Sequence, residues 1–211
     1  MNNSMTESEE SGQVVYTKPV LEFTTVANEV SKFLEAPSST DVQPLLSTLQ
    51  KVLPFLYMKA TLLPDTELLF DDGNEKFVTE EDWNSIKDRM QSIIGRHDNY
   101  PETVTDEGQT DEMRIASISE NLADIYQDLK DYCTLFQVGA VEIMNDALWE
   151  VKHNFQQYWG IKVLSTLAAI HKLLAMPEEY FAQEEESDDE RDTSEWFIAK
   201  RQEEFRKSLD E

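Results

Sequence analysis

The chain has 211 residues, 40% of them hydrophobic, with only six Gly and seven Pro. That suits one domain with a sizeable core and argues against an all-β chain built on tight turns. Its 43 acids against 18 bases give a net charge of -25, which repels phosphate backbones and anionic bilayers, so direct nucleic-acid or membrane binding is excluded as a first reading.

Residues 1–15 read as a flexible acidic lead-in. Met1 to Gln13 is polar and acidic, with no charged-then-apolar leader. Pro19 suits a first helical turn, because it lacks the donor that turn leaves unused. Phe23, Val26, Val30 and Phe33 then recur at helical spacing, and this first helix ends near Ala36-Pro37. A second helix runs from about Val42 to Lys59 on Val42, Leu45, Leu49, Val52 and Leu56, with Pro54 expected to kink or split it. Leu63 to Val78 is a long acidic connection with turn signals at Pro64 and Asp71-Asp72-Gly73-Asn74.

Thr79 with Asp82 resembles a capping box and opens a third helix, marked by Trp83, Ile86, Met90 and Ile93 and stopped at Gly95. Arg96 to Glu112 reads as a polar loop. Ile115, Ile118, Leu122, Ile125, Leu129, Tyr132 and Phe136 step 3-4-3-4-3-4, the seam of a bundle helix. A fifth helix carries Met144, Leu148, Val151 and Phe155 on one face, with Gly160 placed to cap it. The sixth, Ile161 to Leu174, is apolar nearly all round, and such a helix is expected at the centre, wrapped by its own chain or by a second copy.

From Gln137 to Leu174 acids and bases balance at three each, whereas Glu178 to Glu195 holds ten acids against Arg191 alone. The expected architecture is therefore an all-α, single-domain bundle of about six helices over residues 16–177, followed by an acidic linker and tail at 178–211 with a possible short terminal helix. Cys133 is the single cysteine, so no intrachain disulfide forms, and no apolar run has the length of a bilayer span. The chain reads as cytoplasmic.

The stretch Ser117 to Asp131 (SISENLADIYQDLKD), with Asn154 to Gly160 (NFQQYWG), Ile170 to Leu174 (IHKLL) and Thr79 to Trp83 (TEEDW), resembles an uncharacterised bacterial family of acidic helical proteins. The likeness extends over most of Val20 to Leu174. It implies a compact bacterial cytoplasmic domain and offers no functional residue to carry over.

Four constellations bear on chemistry. Glu120, Asp124, Asp128 and Asp131 share one face of the fourth helix. Glu142, Asp146, Trp149, Glu150 and His153 share one face of the fifth, where Glu150-Val151-Lys152-His153 is a Glu-x-x-His pair. Di-iron bundles use two such pairs plus two further Glu, and only one pair is present. A ligand set of Asp124, Asp128, Asp146, Glu150 and His153 would bind Mg2+ or Mn2+ and suit a metal-dependent hydrolase of a nucleotide or phosphate ester. Against it, an ordinary bundle turns its apolar faces together and its acidic faces apart, leaving solvated carboxylates and no cofactor. His171, on the most apolar helix, reads as a core histidine before a base, His97 stands in a loop beside Asp98, and Cys133 reads as a small buried hydrophobe. The Asn154 to Gly160 aromatics read as core packing at a helix end. Finally, Trp196, Phe197 and Phe205 follow the acidic spacer and either order on a partner or dock on their own bundle. The leading reading is a non-enzymatic interaction protein with a basic or amphipathic protein partner, homo-oligomerisation being a further possibility.

Overall fold

The computed structural model describes residues 14–70, 73–104 and 112–182. It is predominantly all-α. Six helices, α1 (Lys18–Glu35), α2 (Val42–Thr61), α3 (Glu80–Ile94), α4 (Ile118–Val138), α5 (Val141–Asn154) and α6 (Gly160–Leu174), form the compact unit that ends at Ala175. A four-residue helix, α7 (Glu179–Ala182), belongs to the separate unit that begins at Met176.

The expected start signals hold at atomic detail. Pro19 occupies the first turn of α1. At α3, the Thr79 hydroxyl accepts from the Asp82 amide at 3.1 Å and the Asp82 carboxylate accepts from the Thr79 amide at 3.0 Å, a complete capping box. Gly95 ends α3 at φ 61°, a conformation glycine adopts without steric cost. At α2 the expected split at Pro54 does not occur. The helix runs unbroken through Pro54, whose ring stands on the exposed face, so its missing donor costs a ladder bond and no packing.

The central helix is α4, not α6. It packs against α1, α3, α5 and α6, and buries Ile118, Leu122, Ile125, Leu129 and Tyr132 of the predicted seam together with Tyr126, Cys133 and Leu135 on its other sides. In contrast α6 lies on α2 and α4 with one side open: Val163, Thr166, Ala169 and Ile170 are buried, while Ile161 is 64% and Leu164 41% exposed. Apolar content all round a helix therefore did not mean burial all round.

The polar stretch 96–112 is not simply a loop. After a 3-10 turn at Gly95–His97, β1 (Asn99–Val104) pairs antiparallel with β2 (Glu112–Ser117), from Asn99 opposite Ser117 to Val104 opposite Glu112. Ile115, read as the first seam residue, lies instead on β2 and is 70% exposed. The seam begins at Ile118, with Ser117 as the N-cap accepting from the Glu120 amide. Asp98 fastens the hairpin to α4. Its carboxylate accepts from the hydroxyls of Ser117 and Ser119 and from the Ser119 amide, at 2.7 to 2.8 Å.

Gly160 does not cap α5. A π-helical turn, Phe155–Trp159, carries the chain directly into α6, and Gly160 is helical. Its need for glycine is one of space: a Cβ there would stand 2.3 Å from the Phe155 carbonyl oxygen. The turn swings Trp159 into the core, fully buried, with its Nε1–H donating to the Val151 carbonyl at 3.1 Å and its ring near Phe23 and Phe155. Phe155 and Trp159 thus pack as the sequence suggests, while Tyr158 faces outward. Among the described residues no helix is long and apolar enough to cross a membrane.

Candidate functional site

The acidic faces of α4 and α5 do not point apart into solvent. The described parts of the connection, 63–70 and 73–78, lie along both helices as a strap, and the helices' carboxylates hold it. Asp146 accepts from the Leu69 amide at 2.8 Å and the Phe70 amide at 2.9 Å, one oxygen each. Asp131 accepts from the Phe77 and Val78 amides at 2.8 and 2.9 Å. Between these anchors Glu150 accepts from Asn74 Nδ2 at 3.0 Å and from Lys76 Nζ at 2.7 Å. Asn145 donates to the Glu67 carbonyl, and Lys152 to the Leu63 carbonyl and the Asp65 carboxylate.

A carboxylate taking two successive amides is well matched in charge and geometry, which is why Asp131 and Asp146 tolerate burial. Strap residues Leu68, Leu69, Phe70 and Phe77 remain exposed, so polar contacts rather than burial fix its course.

The remaining predicted ligands have equally specific partners. Asp124 accepts from Trp83 Nε1 at 2.9 Å and from the Tyr158 hydroxyl at 3.0 Å, and pairs with Lys162 at 2.8 Å. Asp128 accepts from Asn154 Nδ2 at 2.6 Å. Burial pushes its carboxyl up to about 6, the Asn154 bond and Lys76 opposing this and the charges of Glu150 and Asp131 adding to it. His153 is exposed and stacks on Trp149, centroids 4.9 Å apart. Among the described residues no group of three or more His, Cys, Asp or Glu is placed to hold a metal ion. Asp124, Asp128, Asp146, Glu150 and His153 thus each serve a separate set of partners, on α3, α5, α6, the π-helical turn and the strap.

The other singled-out residues divide similarly. His171 is not a core histidine: it is exposed, its Nδ1 3.3 Å from Gln50 Nε2. His97 is buried in the 3-10 turn. Cys133 is buried and its thiol is pushed up to about 12, chiefly by that burial, which leaves it un-ionised and inert at neutral pH. Trp196, Phe197 and Phe205 lie outside the described residues.

With Asp124, Asp128, Asp131, Asp146 and Glu150 committed to the chain itself, a run of open acids that borders a groove lies on α3. Thr79, Glu80, Glu81, Asn84, Ser85 and Asp88 line a shallow groove of about 750 Å³. A neighbouring groove of about 380 Å³ is lined by Val78, Trp83 and Gln127 among others, and shares Thr79 and Glu80 with the first. Glu80 and Glu81 are exposed and make no side-chain hydrogen bond or ion pair among the described residues. Asp88 pairs with Lys87 at 3.1 Å, and the Lys87 ammonium lies 5.9 Å from the Trp83 ring centre. The sequence signal was present in Thr79-Glu-Glu-Asp82, but it reads first as a helix start, and nothing local tells that Glu80 and Glu81 border a groove.

A family model described as a domain of unknown function, DUF5063, matches residues 14–176. The crystal structure of protein BF1032 from Bacteroides fragilis is similar to this chain at 39% identity over 77% of this chain and 99% of that one, with a TM-score of 0.67. No curated protein matches.

Proposed function

The chain belongs to the DUF5063 family, whose domain covers residues 14–176, and from that premise we propose that it is a non-enzymatic binding protein whose α3 face takes a basic, amphipathic protein segment. The observation that carries this reading is the groove bordered by Glu80, Glu81 and Asp88, set beside the half-buried Trp83. Carboxylates next to an aromatic wall, two of them (Glu80 and Glu81) unpartnered among the described residues, suit a helix or strand that alternates Lys or Arg with apolar side chains. Asp131, Asp146 and Glu150 are engaged by the strap and Asp124 and Asp128 by other side chains, so these carboxylates offer a partner little.

The plain alternative is that Glu80 and Glu81 merely complement the positive end of the α3 dipole, an effect worth about 0.3–1 kcal/mol. Calorimetric titration with a synthetic Lys/Leu amphipathic helical peptide separates the two. Glu80→Lys/Glu81→Lys should weaken saturable binding by about tenfold or more, equivalent to about 1.4 kcal/mol. Glu29→Lys/Glu120→Lys makes the same change in charge on α1 and α4, with Glu120 also in a first helical turn, and should cost far less. Equal losses in both variants would mean diffuse attraction to an acidic surface, and the reading would fall.

A further inference from the structure

A cleft of about 340 Å³ opens between the C-terminal end of α1 and the facing sides of α3 and α4. The chain carries 43 acids against 18 bases, yet two bases, Arg89 and Lys130, stand here beside two acids, Glu35 and Asp82. Asp82 is committed to the cap of α3. The other three, with Tyr126, form a tight polar set. Lys130 Nζ and the Tyr126 hydroxyl donate to the same Glu35 oxygen, Oε1, at 2.7 and 2.9 Å. Arg89 Nη1 donates to the Leu34 and Glu35 carbonyls that end α1.

Structural duty uses only part of this set. Among the described residues, Glu35 Oε2, Arg89 Nε and Nη2, and the Ser85 hydroxyl carry no hydrogen-bond partner, and Lys130 uses one of its three donors. Glu35 and Lys130 remain about one-third accessible, so these groups meet whatever enters. Burial would raise the Glu35 carboxyl, but the bonds from Lys130 and Tyr126 outweigh it and hold Glu35 ionised. Phe77, Val78 and Ile86 supply an apolar wall. The volume falls within the range typical of small-ligand sites.

We propose that this cleft binds a free α-amino acid with an apolar side chain, its carboxylate on Arg89 and Lys130, its ammonium on Glu35 Oε2 and its side chain against Phe77, Val78 and Ile86. A simple anion would leave the open Glu35 oxygen facing it. A simple cation would face the guanidinium and ammonium. A ligand that carries an ammonium and a carboxylate close together satisfies both the open acceptor and the open donors that line this one cleft. The cleft borders the α3 grooves, sharing Ser85 with one and Val78 with the other, but it uses none of Glu80, Glu81 and Asp88.

The test titrates the full-length protein with L-leucine and L-phenylalanine, by calorimetry and by amide shifts of Ser85 and Tyr126. A ligand this small is expected at roughly millimolar affinity, so the titration extends to about 20 mM. Two analogues of leucine are run beside it: 4-methylpentanoate, lacking the ammonium, and 3-methylbutylamine, lacking the carboxylate. Each should bind at least about tenfold more weakly. Glu35→Gln, which still accepts from Lys130 and Tyr126, and Lys130→Met, which keeps the side-chain stem, should each cost a similar factor with the unfolding midpoint of the free protein little changed. No saturable response to either amino acid would overturn the proposal. So would an analogue binding as tightly as leucine, or affinities unaltered in both variants.

Discussion

Asp128 holds a charge in a place that does not favour it. Its carboxyl titrates near 6 in the folded protein against an ordinary 3.8, because burial beside Glu150 and Asp131 outweighs the Asn154 bond and Lys76. The folded chain therefore binds this proton more tightly than the unfolded chain. Stability from this group is fully present only below the ordinary 3.8, falls as pH rises from there, and is lost once pH has passed through about 6. A two-unit rise corresponds to at most about 3 kcal/mol at alkaline pH, and solvent reaching the partly accessible carboxyl reduces that to roughly 1–2. Asp128→Asn keeps an acceptor for Asn154 Nδ2 and removes the charge. It should stabilise the protein by about 1–2 kcal/mol at pH 8 and by roughly a third of that at pH 4.5, measured as denaturant midpoints of both proteins. An equal gain at the two pH values would show that charge is not the cause. At this scale the sequence is least legible. The face shared by Asp124, Asp128 and Asp131 followed from helical spacing alone. That the strap, fifty and more residues earlier in the chain, would cover it did not.

Elements divide by whether their signal is local. Helices α1 to α5 announced themselves because caps, stops and apolar spacing lie within the segment itself, as at Thr79 and Asp82. The hairpin was hidden. Its strands are six residues long, β1 contains Pro101 and β2 carries Met113 and Ile115 outward, so neither shows a buried alternation. The strap was hidden differently, since the groups that fix it are side chains on other elements, chiefly carboxylates. That arrangement makes a prediction. In Asp146→Ala the Leu69 and Phe70 amides lose a charged acceptor, while Phe77 and Val78 keep theirs on Asp131. Hydrogen bonds to charged groups contribute about 1.5–3 kcal/mol each, but water replaces part of this on an exposed segment. Exchange of the Leu69 and Phe70 amides should accelerate by about tenfold or more, with a global loss of only about 1–2 kcal/mol. Asp131→Ala should reverse the pattern. If either variant freed all four amides together, the strap would be one cooperative unit and not a segment pinned at two independent points.

For the whole molecule the governing quantity is uncompensated charge. Residues 14–176 alone carry 26 acids against 13 bases, so even perfect pairing leaves half the acids without a cation. Salt acts on both populations. It weakens exposed pairs such as Lys32–Glu29 and Lys18–Glu22, each worth about 1 kcal/mol or less. It also relieves repulsion among all the unpaired acids, which at low ionic strength reaches across about 30 Å, the breadth of a small domain. The bonds between strap amides and the buried Asp131 and Asp146 are screened least, because solvent ions do not enter there. Repulsion involves more charges over longer distances, so its relief wins. Raising NaCl from about 10 mM to about 500 mM should therefore lift the thermal midpoint by several degrees. The same salt should weaken the Lys/Leu peptide on α3, since that attraction uses the same carboxylates with the opposite sign. A fall in midpoint with salt would mean that the ion pairs outweigh the repulsion. A rise in midpoint with unchanged peptide affinity would mean that Trp83 and its apolar surroundings, rather than Glu80 and Glu81, hold the peptide.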